Sequence, residues 1–209
     1  MKGWFWLDSI DYYNKYASIY FENTVDLNME ETLDKFISFL PEGGTVLDLG
    51  CGSGRDSLYL INKGFDVTAI DGSAELCQLA SIHIGQDILN MQFSELDFHQ
   101  VFDGVWACAS LLHTSPEQLQ DIIDKVSDSL NPGGVLYMSF KYGDFQGYRN
   151  GRYFADYKIH DMEEIVDTHK ELQIIEIWKT SDIRSEREEN IWLNVIAKKV
   201  DEETQGYNE

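Results

Sequence analysis

The chain has 209 residues, of which 43% are hydrophobic and 25% charged, a composition typical of one globular domain rather than of a disordered chain. Its formal net charge of −21 repels polyanions, so tight binding to duplex DNA or bulk RNA is not expected. The cysteines Cys51, Cys77 and Cys108 are dispersed and form no CxxC pair, which favours reduced thiols over disulfides or a metal site. We expect a cytoplasmic protein that binds no metal.

The chain begins with an aromatic segment and ends with a polar one, and we expect neither to form part of the regular α/β pattern between them. The aromatic triplet WFW at residues 4–6 is too short for a signal peptide, and Asp8 follows it closely. Because no basic face accompanies the triplet, we expect it to dock on the domain or on a dimer partner rather than on a membrane. Residues 201–209 are polar and predict a disordered tail. We expect one domain over residues 1–200, as a monomer or a homodimer.

Predicted strands and helices alternate along the chain. Apolar residues at helical spacing predict a helix over 28–40 with Asn28 as its N-cap. A buried strand over 45–49 and a helix ending at Gly64 follow. The strands FDVTAID, DILNMQF, FDGVWACA and VLYMSFK come next, with helices capped by Ser73 and Ser115 among them. A helix, HDMEEIVDTH, and two antiparallel strands, LQIIEIWKT and NIWLNVIAKK, close the chain. This order is typical of an α/β fold with a parallel sheet and one antiparallel strand near its edge.

A glycine-rich turn, LDLGCGSGRDS at residues 47–57, lies between the first strand and the next helix. Open α/β sheets bind ligands at this edge, and glycine lets a ligand approach the backbone closely. A tight turn that binds nothing is the alternative. Asp48 places a charge at the inner end of a buried strand. Asp71 ends the second strand, where a carboxylate can accept hydrogen bonds from two ribose hydroxyls.

A dinucleotide is the competing ligand for this turn. Its GxGxxG fingerprint needs glycine at position 55, where this chain has Arg55. The Asp48 carboxylate would also repel a pyrophosphate, whereas it would attract a ligand that carries an amine and a sulfonium. The residues of the turn therefore favour S-adenosylmethionine.

Four motifs together resemble the class I S-adenosylmethionine-dependent methyltransferases: VLDLGCGSGRDS, VTAIDGSAELCQLA, FDGVWACASLLH and LNPGGVLYMSFK. The resemblance is strong over residues 28–141 and is closest to small, stand-alone bacterial enzymes that act on small molecules. It implies a Rossmann-like α/β fold whose seven-strand sheet has the order 3-2-1-4-5-7-6, with strand 7 antiparallel and helices on both faces. It also implies S-adenosyl-L-methionine as cofactor, S-adenosyl-L-homocysteine as product and a small-molecule acceptor methylated by in-line displacement.

The resemblance implies roles for individual residues. The glycine turn lies against the methionine part of the cofactor, Asp48 near its amino group and Asp71 on the ribose hydroxyls. The acid that the family often uses for the adenine is replaced by Gln92, so its amide or the backbone after it takes that contact. Arg55 reaches the cofactor carboxylate or is a helix-surface arginine. The cofactor-binding candidates are Asp48, Gly50, Cys51, Gly52, Gly54, Arg55, Asp71, Gly72, Ser73, Gln92, Phe93, Ser94, Cys108 and Ala109.

Methyl transfer from a sulfonium asks little of protein side chains, because the cofactor carries the activated methyl group. The protein must align the reacting atoms and exclude water, and a base is needed only for a protonated nucleophile. His113, just after the fourth strand, is the catalytic candidate as a base. A hydrogen-bonding scaffold role is the alternative.

Two tyrosine-rich stretches are candidates for the acceptor site. Residues 141–157 form a long, aromatic and basic loop, in which Tyr142, Arg149, Arg152 and Tyr153 are predicted to line a pocket for an anionic acceptor. The alternative is that the arginines only anchor the loop to nearby acids.

The second stretch contributes Tyr16, in a helix that belongs to a predicted lid over about residues 8–40, with plain core packing as the alternative. Near the end of the chain, Arg184 and Arg187 are expected to pair with surface glutamates.

Other functions stay open. A non-catalytic S-adenosylmethionine-binding or regulatory protein would keep the same glycine turn, and a protein acceptor is compatible with the charge. Base N-methylation is disfavoured, because ACAS stands after the fourth strand where an Asp/Asn-Pro-Pro-aromatic motif would be needed.

Overall fold

The computed structural model describes residues 9–200, so the WFW triplet and the predicted tail lie outside the described residues. The helices are α1 (Ser9–Lys15), α2 (Ala17–Thr24), α3 (Glu30–Ile37), α4 (Arg55–Asn62), α5 (Ala74–Ile84), α6 (Pro116–Ser129) and α7 (Ile159–Thr168). The strands are β1 (Thr45–Leu49), β2 (Asp66–Asp71), β3 (Leu89–Asn90), β4 (Phe102–Ala107), β5 (Leu130–Lys141), β6 (Gln146–Arg149), β7 (Arg152–Ala155), β8 (Leu172–Ser181) and β9 (Ile191–Lys199).

Seven of the strands form one sheet in the order β3-β2-β1-β4-β5-β9-β8. Strand β1 pairs in parallel with β2 and β4, and β9 pairs antiparallel with both β5 and β8. This is the predicted order 3-2-1-4-5-7-6, shifted in number because β6 and β7 form a separate hairpin. The expected α/β architecture is therefore confirmed, and the strand order reverses between β1 and β4, where such sheets bind ligands.

The core lies on both faces of the sheet because side chains alternate along each strand. On one face, Val46 and Trp106 pack with Phe36 of α3 and Leu60 of α4. On the other face, Leu47 and Leu49 pack with residues of α6 and α7, among them Leu119, Ile123, Met162 and Val166.

Local signals in the sequence mark most element boundaries. The Ser73 side chain accepts a hydrogen bond from the Leu76 backbone N–H, and Ser115 forms a capping box with Gln118, which confirms both predicted caps. The predicted N-cap at Asn28 is wrong, because α3 begins at Glu30 with Met29 as its N-cap. Asn28 Oδ1 still accepts a hydrogen bond from the backbone N–H of Glu30 at 2.8 Å.

Residues 141–157 were expected to form a loop, and this expectation was wrong. Strands β6 and β7 form an antiparallel hairpin in which Arg149 pairs with Arg152. Asn150 and Gly151 connect them with φ values of 50° and 82°. An Asn-Gly pair with positive φ at both residues is the turn that best matches the twist of two flanking strands. The hairpin holds the two arginines next to each other.

The N-terminal segment forms two helices rather than one, because the helix breaks at Tyr16. Helices α1 and α2 contact α5, and α1 also contacts β7. Of the helices within residues 9–200, none is both long enough and apolar enough to cross a membrane.

Candidate active site

The glycine turn after β1 is closely packed. Gly50 and Gly52 have φ values of 83° and 57°, which other residues rarely adopt. A Cβ on Gly50 would lie 2.6 Å from the Cβ of Ser110, and a Cβ on Gly52 would lie 3.1 Å from the ring of Tyr20. Side chains are excluded here by both conformation and space, as the sequence predicted.

Asp71 is fixed at the carboxyl end of β2 by two backbone hydrogen bonds. Its Oδ2 accepts from the N–H of Gly52 at 2.9 Å, and its Oδ1 accepts from the N–H of Ser73 at 2.8 Å. Burial raises the pKa of this carboxyl, while the two N–H donors lower it. Each carboxylate oxygen still has a lone pair that can accept a ligand hydroxyl.

A first cavity of about 480 Å³ opens beside this carboxylate. It is lined by many of the predicted cofactor residues: Gly50, Gly52, Asp71, Gly72, Ser73, Gln92, Phe93, Ser94 and Ala109. Ser110, which the sequence did not single out, also lines it. Its Oγ is buried and has no hydrogen-bond partner within the described part of the chain. A glycine wall, a fixed carboxylate and an unpaired hydroxyl suit a nucleoside-bearing ligand such as S-adenosylmethionine.

Five predicted cofactor residues lie outside the lining of this cavity: Asp48, Cys51, Gly54, Arg55 and Cys108. Asp48 is buried beneath the turn, where its Oδ2 accepts a hydrogen bond from Ser57 Oγ at 2.6 Å. Burial, and then the nearby Asp56 carboxylate, raise the pKa of Asp48 to about 8. Asp48 therefore supports the turn from below.

Arg55, at the start of α4, is partly buried and forms an ion pair with its neighbour in the chain. Its guanidinium donates two hydrogen bonds to Asp56, at 2.6 Å and 2.8 Å, and Asp56 also accepts from the indole N–H of Trp106. Arg55 and the predicted Cys108 both line a second cavity rather than the first.

The second cavity has a volume of about 670 Å³ and lies next to the first. Four residues line both cavities, and we call them the shared wall: Tyr13, Tyr20, Ala109 and His113. Further aromatic residues, Tyr137, Phe154 and Trp192, line the second cavity together with the basic residues Lys141, Arg152, Arg184 and Arg187.

His113 is held at both ring nitrogens. Its Nδ1 lies 2.7 Å from the carbonyl oxygen of Tyr153, which can only accept, so Nδ1 carries the proton. Nε2 then accepts from the hydroxyl of Tyr13 at 2.7 Å, and that hydroxyl accepts from Arg152 at 2.9 Å. Burial lowers the pKa of His113 to about 4, so the ring is neutral at pH 7.

Of the predicted acceptor residues, Arg152 lines the second cavity, whereas Tyr16, Tyr142, Arg149 and Tyr153 lie outside both cavities. Arg149 forms an ion pair with Asp156 and stacks on Phe145. Its position favours the alternative in which it anchors the hairpin.

The sequence missed other residues of the site. The spacing of seven between Tyr13 and Tyr20 predicts one helical face, a pattern that equally indicates core packing. In the structure they lie in two helices, α1 and α2, and both line the site. Arg184 was expected to pair with surface glutamates, but it forms two hydrogen bonds with Asp182 and lines the second cavity. Lys141, at the end of β5, is the first residue of the basic stretch 141–157 but was not among the predicted acceptor residues.

Comparisons with known proteins agree with this architecture. Residues 46–134 match the family model of a methyltransferase domain. The chain is 27% identical over 172 residues to an uncharacterized methyltransferase of Staphylococcus carnosus, which covers 78% of this chain and 83% of that protein. Other curated relatives are matched over only 45% to 60% of their own length.

Two solved structures have similar folds. A 1,6-didemethyltoxoflavin-N1-methyltransferase of Burkholderia thailandensis has a TM-score of 0.73 at 22% identity, covering 90% of this chain and 86% of that chain. The cyclase SpnF has a TM-score of 0.72 at 15% identity, covering 93% of this chain and 97% of that chain. The strand order, the glycine turn and the family match agree with the sequence motifs: residues 46–134 are similar to a methyltransferase domain, and the chain has the fold of the class I S-adenosylmethionine-dependent methyltransferases. These findings support S-adenosylmethionine as the cofactor.

Proposed function

We propose that this protein transfers the methyl group of S-adenosylmethionine to a small-molecule acceptor, with the cofactor in the first cavity and the acceptor in the second. The observation that carries the proposal is the shared wall, because two adjacent cavities that meet at Tyr13, Tyr20, Ala109 and His113 can bring two ligands into contact. Holding two reactants in line is the main demand of methyl transfer.

The first cavity has groups that match the parts of the cofactor. Asp71 accepts hydrogen bonds from the ribose hydroxyls, and the backbone at Gly50 and Gly52 contacts the methionine part. Gln92, Phe93 and Ser94 border the adenine. Ser110 Oγ gains a partner that it lacks within the described residues. The bound cofactor supplies the activated methyl group.

The residues of the shared wall position the two ligands and do not act as a general base. His113 is neutral and its two nitrogens are occupied, so it holds the Tyr13 hydroxyl in place instead of acting as a base. Tyr20 packs over Gly52 from the N-terminal side. We infer that α1 and α2 form a lid that excludes water from the reacting atoms.

The size of the second cavity supports a small acceptor. A volume of about 670 Å³ falls within the range of small-ligand sites, about 300–1,000 Å³. Its aromatic walls suit a compact molecule better than an extended chain. Two alternatives to this proposal are methylation of a protein acceptor and a regulatory role without methyl transfer.

The test is a transfer assay with methyl-labelled S-adenosylmethionine and a fractionated cell extract. Once unreacted S-adenosylmethionine is removed, we expect label in the small-molecule fraction together with formation of S-adenosylhomocysteine. At a cofactor concentration that does not saturate the wild type, Asp71→Ala should transfer at least tenfold less label. Label only in the protein fraction would replace the small acceptor with a protein. Cofactor binding without transfer to any fraction would support the regulatory alternative.

A further inference from the structure

The second cavity differs in charge from the rest of the molecule. The whole chain has 37 acidic residues against 16 Lys and Arg. The cavity reverses this ratio: five basic residues line it, Arg55, Lys141, Arg152, Arg184 and Arg187, against three acidic residues, Glu30, Glu31 and Asp182. A concave surface with an excess of one charge sign attracts ligands of the opposite sign.

Two of these cations are already neutralised by the protein. Arg55 donates two hydrogen bonds to Asp56. Arg184 donates two side-chain hydrogen bonds to Asp182, each of 2.9 Å, and Asp182 also accepts from the indole N–H of Trp192. Arg55 and Arg184 line the second cavity, but each has its positive charge balanced by an aspartate of the protein.

The positive charges of Lys141 and Arg152 are not balanced by an aspartate or glutamate in this way. Within residues 9–200, neither forms an ion pair with a carboxylate. The Lys141 ammonium lies 4.6 Å from the ring centroid of Trp192. The Arg152 guanidinium lies 4.5 Å from the ring centroid of Tyr12, and its Nε is buried without a hydrogen-bond partner.

The surroundings of Lys141 oppose its charge. Burial lowers the pKa of its ammonium, as do the neighbouring Arg149 and Arg184, although Asp182 and Asp156 act in the opposite direction. A half-buried cation without a counterion is costly, and an anion bound beside it would offset that cost.

The remaining walls are aromatic. Tyr13, Tyr20, Tyr137, Phe154 and Trp192 line the same cavity. Such rings bury the flat apolar body of a ligand, while the cations hold its charged end.

We propose that the acceptor carries an oxyanion, a carboxylate or a phosphate, on an aromatic or apolar body, and that Lys141 and Arg152 bind this oxyanion in the second cavity. The proposal rests on the proposed function, which assigns this cavity to the acceptor. It predicts a charge preference that can be measured before the natural acceptor is known.

The experiment is a ligand-observed NMR titration with benzoate, phenyl phosphate and the neutral analogue benzamide, on protein saturated with S-adenosylhomocysteine. We expect the two anions to bind at least tenfold more tightly than benzamide. The preference should fall at least tenfold in Lys141→Met and in Arg152→Met, and Lys141→Arg should retain most of it.

Lys179→Met is the matched control. Its ammonium also lies over an aromatic ring, 4.6 Å from the centroid of Tyr142, but it lines neither cavity. This variant removes the same charge from strand β8 of the same sheet, and it should keep the preference. Melting temperatures identify any variant that loses binding through unfolding.

Equal affinity for benzoate and benzamide, no binding of either anion, or a preference unchanged in both cavity variants would overturn the proposal. Its failure can be separated from failure of the proposed function. Tight S-adenosylhomocysteine binding without an anion preference overturns only the acceptor class. An anion preference without S-adenosylhomocysteine binding leaves the charged site standing and removes the proposed reaction.

Discussion

The hydroxyl of Tyr13 lies 2.7 Å from Nε2 of His113, although 100 residues separate them along the chain. Arg152 donates to the same hydroxyl at 2.9 Å. This link joins α1, the segment after β4 and the β6–β7 hairpin at the wall between the two cavities. The N-terminal helices are therefore tied to the site by a buried polar contact as well as by packing.

Tyr13→Phe should test this link. The change leaves His113 Nε2 without its donor and removes the acceptor of Arg152. An unsatisfied buried group costs about 1–3 kcal/mol, so we expect a loss of that size in the free energy of unfolding, measured by urea denaturation. Tyr16→Phe is the control, because Tyr16 lies outside both cavities. Equal stability of the two variants would contradict a structural role for the link.

The buried His113 should make stability depend on pH. Its pKa in the folded protein is about 4, below the ordinary value of 6.5. As pH falls through 6.5, the unfolded chain binds a proton that the folded ring resists, so the folded state loses stability between pH 6.5 and about 4. The loss should approach about 3 kcal/mol relative to His113→Gln. A constant difference between the two proteins over this range would show that His113 is not held neutral.

Asp48 should make stability depend on pH in the opposite direction from His113, and Asp48→Asn tests this. The folded-state pKa of Asp48 is raised from 3.8 to about 8, so the folded protein keeps this proton while the unfolded chain releases it. The wild-type protein therefore loses stability as pH rises from about 4 to about 8, whereas an asparagine does not ionise. We expect the free-energy gain of Asp48→Asn to grow over that range in denaturation without cofactor. A gain that shrinks with rising pH would mean that the Asp48 carboxylate is stabilised in its charged form.

Asp71→Ala should weaken cofactor binding with the fold retained. Each hydrogen bond to a charged carboxylate contributes about 1.5–3 kcal/mol, so calorimetry should show at least a tenfold loss of S-adenosylhomocysteine affinity. Asp66→Ala is the control, because Asp66 lies exposed at the other end of the same strand. If both variants keep wild-type affinity while folded, Asp71 does not hold the ribose.

The sequence predicted those features of the fold and site that depend on residues close together in the chain. The glycine turn, the caps at Ser73 and Ser115 and the strand order depend on short motifs and on hydrophobic spacing. The division of the site into two cavities depends on long-range packing. Lys141 faces Trp192 only because β5 pairs with β9, and Arg152 reaches Tyr13 only because the Asn-Gly turn folds the hairpin back. Arg149 was predicted beside Arg152 in the pocket, but its pairing with Asp156 depends on the hairpin register.

The proposed position of the cofactor in the first cavity can be tested directly by a crystal structure of the protein with S-adenosylhomocysteine. We expect the ribose hydroxyls within hydrogen-bond distance of Asp71, the adenine beside Gln92 and Phe93, and the sulfur at the shared wall, facing the second cavity. An adenosyl group in the second cavity, or a sulfur directed away from Tyr13 and His113, would contradict it.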